Sequence, residues 1–262
     1  MRDFIDACKR VDAWRQIDGA DWNLEIGVLS EAAADLVRDP PMLMFDHIKD
    51  YPAGFRVVGL PLGGYKRAAV ALGLPVDKSK IELVRMATHK LRDARPTPPK
   101  CVKDGPVMEN VLTGDRIDLL RFPVPRYHTG DGGRYIGTGD FLINQDPESG
   151  FINAGTYRMQ VHDRDVLGLW MSPGQHGQMI ARRYWERGQA CPVVAAFGGD
   201  PLNFMVTHTK IPWGQSELDL IGGLRGRPLE VIEGPVTGLP VPARAEIAIE
   251  GESPPPSVES RD

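Results

Sequence analysis

Cysteine is scarce in these 262 residues: three only, at Cys8, Cys101 and Cys191, far apart and without C-x-x-C spacing. That excludes a disulfide framework and a thiolate zinc site, and leaves reduced thiols. An excess of positive charge is also lacking. The formal net charge is −4, so nothing draws the chain to nucleic acid or an anionic membrane surface. No apolar run reaches bilayer-spanning length, and the opening MRDFIDACKRVDAW has the pattern of a charged amphipathic helix rather than a signal peptide. The expectation is a soluble, cytoplasmic protein. Internal repeats are missing, as are H-x-x-x-H and H-E-x-x-H among the six histidines. The lack of G-x-G-x-x-G after a strand removes one nicotinamide-binding route.

Glycine (29) and proline (23) are abundant and fall mostly after Pro96. Before that point the pattern alternates. Phe4, Ile5, Cys8, Val11 and Trp14 lie at helical spacing, and LEIGVLSEAAADLVRD is a second helix ending before Pro40-Pro41. PMLMFDHI and FRVVGLPL read as short buried strands around a turn at residues 51–54. YKRAAVALGL and SKIELVRMATHKL follow as helices, the latter with Ser79 as N-cap. This predicts an α/β domain over residues 1–95. Arg95-Pro-Thr-Pro-Pro99 opens a stiff extended linker, residues 96–105.

From residue 106 to 252 the texture is short β-rich segments separated by Gly, Pro and Asp. These are VMENVL, YIGTGDFLINQ, FINAGTYRMQVHD, DVLGLWMS, PVVAAFGG and RAEIAIEGE. FLINQDPESGFINAGTYRMQ predicts a hairpin looped at Asp-Pro-Glu-Ser-Gly. HGQMIARRYWERG is an inserted helix with Met179, Ile180, Tyr184 and Trp185 on one face and Gly188 as stop. SELDLIGGLRG is another, capped by Ser216. The fold class is therefore α+β: an N-terminal α/β domain, then a β-barrel or sandwich with inserted helices. Residues 253–262, Pro- and Ser-rich, read as a flexible tail.

Three polar residues stand out in the second part: Asn153, His176 and Glu217. An amide oxygen, an imidazole and a carboxylate suit a hard or borderline divalent ion. Each has an ordinary alternative. His176, in Ser-Pro-Gly-Gln-His-Gly before a helix, is equally a bonded loop histidine, although free N–H groups of that helix's first turn could also receive an anion. Glu217 is equally a first-turn acid favoured by the helix dipole. His128 and His208 are further pocket candidates. Strict strand alternation puts Asn153, Gly155 and Tyr157 on one face and Ala154, Thr156 and Arg158 on the other. Asn153 and Arg158 can address one ligand only across a strand end or a bulge. Asp131-Gly132-Gly133 and the glycines of Tyr135-Ile-Gly-Thr-Gly139 are either a plain turn or a close approach of ligand to backbone.

FPVPRYHTGDGGRYIGTG, NAGTYRMQ, GQHG, IPWGQSEL, LRGRPLEV and VPARAEIAIEGE, in this order and spacing, closely resemble the UbiD family of prenylated-FMN-dependent decarboxylases. MRDFIDACKR, PMLMFDHIKDYP and ALGL resemble that family's opening domain. The resemblance covers essentially the whole sequence. It implies a split β-barrel flavin-binding domain, a prenylated FMN cofactor, Mn²⁺ (or Mg²⁺) and K⁺. By position, Asn153, His176 and Glu217 match the metal ligands. Asn153, Ala154, Gly155, Thr156, Tyr157, Arg158, Gln175, His176 and Glu217 are the cofactor-binding residues the resemblance implies, and Val206 to Thr209 match the potassium neighbourhood. Arg158 matches the arginine of a catalytic Glu–Arg–Glu network. The implied reaction is reversible non-oxidative decarboxylation of an aromatic, heteroaromatic or α,β-unsaturated carboxylic acid through a covalent prenylated-flavin adduct.

One departure accompanies it. The family's two catalytic glutamates lie in an E-G-P-F-G-E motif that follows the strand matched here by Ala245 to Glu252, and the family's C-terminal domain comes after it. Neither is in this sequence, and Glu250, Glu252 and Glu259 do not match the motif. The expectation is a split or nicked enzyme, inactive by itself: activity needs a complementing C-terminal chain carrying that motif, in a higher homo- or hetero-oligomer. The alternatives are a non-catalytic flavin- or metal-binding module and an ordinary FMN oxidoreductase. Retention of Arg158 with all three ligands favours the split enzyme.

Overall fold

A computed structural model describes residues 1–137 and 139–256. The first helix, α1 (Arg2–Arg10), buries Phe4 and Cys8 and stops four residues before Trp14. Trp14 instead opens β1 (Trp14–Asp18), a strand the helical spacing did not show. After α2 (Glu25–Leu36) come β2 (Met42–Asp46) and β3 (Val57–Gly59). β1 pairs parallel to β2, which pairs antiparallel to β3. The MLMF run of β2 is buried, as expected of a central strand covered on both faces. Two helices complete this part, α3 (Tyr65–Leu72) and α4 (Lys80–Asp93). Ser79 and Glu82 cap α4 reciprocally, each bonding the other's backbone N–H.

The proline segment is docked rather than free. The Thr97 N–H donates to Asp219 O at 2.9 Å, and Lys100–Cys101 forms a short strand, β4. The VMENVL segment is irregular, with a 3₁₀ turn at Pro106–Met108 in place of a strand. The expected single strands on either side of Thr138 and of Thr156 are each two strands. β5 (Arg134–Gly137) and β6 (Phe141–Gln145) are separate, as are β7 (Ile152–Gly155) and β8 (Arg158–Val161). The hairpin is confirmed: β6 pairs with β7 from Leu142↔Gly155 to Gln145↔Ile152. β9 (Leu167–Trp170) pairs with β8, giving a three-stranded sheet β5-β8-β9.

Next come α5 (His176–Trp185), β10 (Cys191–Phe197) and α6 (Pro201–Thr207). The last has Asp200 as its N-cap and Pro201 at its first turn, a helix signal not read in the sequence. α7 (Glu217–Arg225) has the predicted Ser216 cap. β11 (Glu230–Glu233), β12 (Pro240–Pro242) and β13 (Ile247–Ser253) end the described chain. The expected flexible tail lies largely outside the described residues; its first residue, Ser253, is the end of β13.

The central layer is the sheet β13-β10-β6-β7. Alternation along its strands sends Phe141, Ile143, Ala154, Val194 and Ala196 to one face, against Leu202, Val206, Leu218, Ile221 and Leu224 of α6 and α7. Leu142, Val193, Ala195 and Phe197 face the other way, onto Met159 of β8 and Ile180 and Ala181 of α5. β7 is left at the sheet edge. The two halves of the chain also clasp: Arg2 Nε and Nη2 donate to the Glu246 carboxylate at 3.1 and 3.0 Å.

Candidate functional site

The site is built around the edge strand β7. An edge strand presents unpaired N–H groups that need partners. Here the Ala154 N–H donates to Glu217 Oε2 at 2.9 Å, so the first residue of α7 caps the sheet edge. The neighbouring Asn153 is fully buried and donates from Nδ2 to Asn144 Oδ1, its cross-strand partner, at 3.0 Å. Asn144 Nδ2 in turn donates to Gly177 O at 2.9 Å, at the first turn of α5. The Gly177 N–H donates to the Tyr157 hydroxyl at 2.9 Å. One continuous set of bonds thus joins β7, the link after it, α5 and α7, bringing the Asn153, His176 and Glu217 segments to one place.

His176 is the first residue of α5 rather than a loop residue before it. Its ring is set edge-on to Trp213 (centroids 5.2 Å) and to Phe151 (6.0 Å), which contact each other at 5.1 Å. The Arg183 guanidinium lies 5.2 Å over Trp213 and bonds Asp146 at 2.7 and 2.8 Å. Asp146 is buried; burial alone would raise its pKa, but bonds from Ser149 and Arg183 hold it below the ordinary value. Arg183 therefore pins the hairpin loop, not an anion. The α5 N-terminus keeps fewer free N–H groups than the sequence implied, because Tyr157 takes that of Gly177.

Glu217 is only 4% exposed, and its pKa is pushed up to about 7 by burial. Backbone N–H groups of Ala154 and of Glu217 itself are all that oppose this. A carboxylate so placed lacks a cationic partner, which is what a divalent ion would supply. Asn153 precedes Ala154 in β7 and His176 precedes Gly177 in α5, so the same bonds tie their segments to Glu217; an amide, an imidazole and a carboxylate are a donor set that fits a hard or borderline metal. Among the described residues there is no cluster of three His, Cys, Asp or Glu side chains that could hold a metal; the amide of Asn153 is integral to this set. The Tyr157 hydroxyl is buried, which raises its pKa.

Arg158 lies elsewhere, and the strand-face conflict disappears for that reason. The chain leaves the four-stranded sheet after Gly155 and joins β5-β8-β9 at Arg158, with Thr156 and Tyr157 as the crossing. The Thr156 N–H donates to Thr207 O at 3.3 Å, which sets the Val206–Thr209 stretch against this crossing. Arg158 is exposed, with its guanidinium 5.9 Å over the Tyr135 ring. It opens onto a cleft of about 660 Å³ that Thr156, Tyr157 and Gln175 also line. Sequence reasoning missed Gln160, His162 and Trp170 in this cleft. Period-two alternation from Arg158 was the signal that could have found Gln160.

Two other expectations change. His128 bonds Glu31 at 2.8 Å on the surface, and His208 stacks on Phe204 at 5.9 Å; neither lines the cleft. Gly137 approaches protein rather than ligand, since a β-carbon there would sit 2.7 Å from Met159 Cβ across the β5–β8 bulge. Thr138 lies outside the described residues. No helix is long and apolar enough to cross a membrane among the described residues.

Known proteins resemble this chain over nearly its whole length. Residues 5–87 match the family model of the 3-octaprenyl-4-hydroxybenzoate carboxy-lyase N-terminal domain, and residues 100–261 that of its Rift-related domain. Pyrrole-2-carboxylic acid decarboxylase of Pseudomonas aeruginosa is 35% identical over 96% of this chain and 52% of its own length. Ferulic acid decarboxylase 1 of Saccharomyces cerevisiae is 31% identical over 96% of this chain and 52% of its own. Vanillic acid decarboxylase of Sedimentibacter hydroxybenzoicus, in closed form, superposes with a TM-score of 0.91 at 28% identity, over 97% of this chain and 54% of that one. The UbiD-class enzyme HmfF of Pelotomaculum thermopropionicum, solved in complex with prenylated FMN, gives 0.86 at 29%, over 97% and 57%. The chain spans about half the length of the relatives it matches. Within that span, from α1 through the split barrel, it belongs to the UbiD family of decarboxylases.

Proposed function

We propose that these residues form the cofactor-holding half of a prenylated-FMN-dependent carboxy-lyase. Its substrate is an aromatic, heteroaromatic or α,β-unsaturated carboxylic acid. The observation that supports this reading is the bonded junction at β7, which ties together the segments carrying Asn153, His176 and Glu217, one crossing from Arg158. Asn153, His176 and Glu217 would hold Mn²⁺ or Mg²⁺ against the cofactor phosphate, with K⁺ near Val206–Thr209. Residues 153–158 and Gln175 would line the cofactor. Prenylated FMN, when bound, supplies the electron sink that loss of CO₂ from an sp² carbon requires.

The chain's own part is binding and orientation. Arg158 presents a guanidinium fork at an open cleft and would hold the substrate carboxylate bidentately. Protonation of the carbon after CO₂ loss needs an acid within hydrogen-bond reach. We assign that acid to a complementing polypeptide carrying the E-G-P-F-G-E motif. The match covers 54% of the vanillic acid decarboxylase chain, so the acid is sought outside the matched span.

The test supplies the purified chain with prenylated FMN and Mn²⁺ and follows the bound flavin spectrum. Retention by the wild type, loss in His176→Ala and Asn153→Ala, and CO₂ release only after addition of the motif-bearing polypeptide are expected. Turnover by the chain alone, or flavin binding indifferent to both substitutions, would overturn the reading. A non-catalytic flavin-binding module would bind flavin and never turn over with the second polypeptide present.

A further inference from the structure

The β5-β8-β9 sheet turns a charged and aromatic face to the cleft. β9 is the edge strand, and its last residue, Trp170, stands directly across from Arg158 in the antiparallel register. Directly opposed side chains in such a pair share a face, their β-carbons about 4.5–5.5 Å apart. Trp170 is 66% exposed, the largest exposure of any aromatic side chain among the exposed large hydrophobics of the described residues. It packs into none of the core clusters of this domain. Tyr135 flanks the Arg158 guanidinium from the other side. The cleft of about 660 Å³ that all three line is in the size range of small-molecule sites.

A solvent-facing indole on an edge strand is costly to leave uncovered and gains when a flat apolar surface lies on it. Its cross-strand partner is a guanidinium, which selects carboxylates. In an aryl or heteroaryl acid the carboxyl group is conjugated to the ring and close to its plane. A carboxylate seated on Arg158 therefore carries its ring toward Trp170. A chain-like unsaturated acid would gain buried area there but no ring-on-ring contact.

We infer that Trp170 is the specificity-determining wall of this cleft, selecting acids whose carboxylate is borne directly on an aromatic or heteroaromatic ring over chain-like α,β-unsaturated acids. This rests on the function proposed above and narrows it. A Trp170 covered instead by the complementing polypeptide is the competing role.

The experiment is calorimetric titration of the flavin-loaded full chain with benzoate and with (E)-hex-2-enoate. Variants are Trp170→Ala, Trp170→Leu, which keeps apolar volume without a ring face, and Trp170→Phe. Benzoate affinity is expected to fall about tenfold or more in the Ala and Leu variants. It should stay within about threefold of wild type in Phe, with hex-2-enoate moving less than about twofold throughout. Absence of benzoate binding to the wild type, equal losses for both acids, or wild-type benzoate affinity in Trp170→Leu would overturn the inference. So would loss of only the motif-bearing polypeptide. Failure of the parent reading shows separately, as absence of the bound-flavin spectrum before any acid is added.

Discussion

Two buried carboxylates dominate the chemistry at the scale of single residues. Asp140 is 1% exposed, and neither of its oxygens is bonded by another described residue. Burial pushes its pKa up to about 7, with only its own backbone N–H opposing. A folded-state value above the unfolded one means the group contributes stability fully below the unfolded value and loses it as pH rises through about 7. Asp140→Asn should therefore raise the melting temperature more at pH 8 than at pH 5, since the loss begins above 3.8 and is complete only above about 7. The gain should be roughly 1–3 kcal/mol, at about 2–4 °C per kcal/mol for a chain of this size. Thermal scans at both pH values check this, and an equal shift at both would refute it.

Glu217 moves in the same direction for the same reason. In the metal-free chain its charge destabilises the fold above about pH 7, and a divalent ion would remove that cost. Added Mn²⁺ should therefore raise the wild-type melting temperature at pH 8 more than at pH 5. Glu217→Gln should abolish most of that increment while flattening the metal-free pH dependence.

Elements, rather than residues, explain why the junction at β7 holds together. Tyr157 sits in the crossing between two sheets and accepts the Gly177 N–H, so one hydroxyl ties the crossing to α5. Tyr157→Phe leaves that buried N–H without a partner, at a cost of about 1–3 kcal/mol. A urea midpoint shift of that size with an unchanged slope is the expected readout. Trp213→Ala removes one wall beside His176, and the expected result is weaker Mn²⁺ binding by titration without comparable loss of stability.

Much of this level was legible beforehand. Ser79 with Glu82, Ser216 before Glu217, and Asp-Pro-Glu-Ser-Gly between two apolar runs are local signals, and each element lies where those signals put it. The site residues were legible as a set only through the family resemblance. What stayed hidden is non-local. Asn153 to Arg158 reads as one strand because each half has β pattern; only tertiary pairing sends the halves to different sheets. Trp14 fits a helical stripe as well as a strand, and pairing with Met42 decided for the strand. The Glu217–Ala154 bond spans 63 residues, beyond any window of periodicity.

At the scale of the whole molecule, the proline segment acts as a docked strap. Gly222 and Gly223 of α7 have no room for a β-carbon, because the backbone of Thr97 and Arg95 lies against them. Gly223→Ala should push the strap off α7 and release the backbone at Lys100, whose side chain is already exposed, from its pairing in β4. The expected outcome is faster tryptic cleavage at that lysine with α7 and the α4 cap still folded by hydrogen exchange; an unchanged cleavage rate would show that the strap is held by β4 alone.

The Arg2–Glu246 clasp has a consequence in time. Its partners are 244 positions apart. Synthesis proceeds at about 5–20 residues per second, so α1 waits on the order of 12–50 s for Glu246 to be made. During that interval the first helix must rely on its packing against α3 and β1, and Arg2 is open to whatever acidic surface the nascent chain meets first.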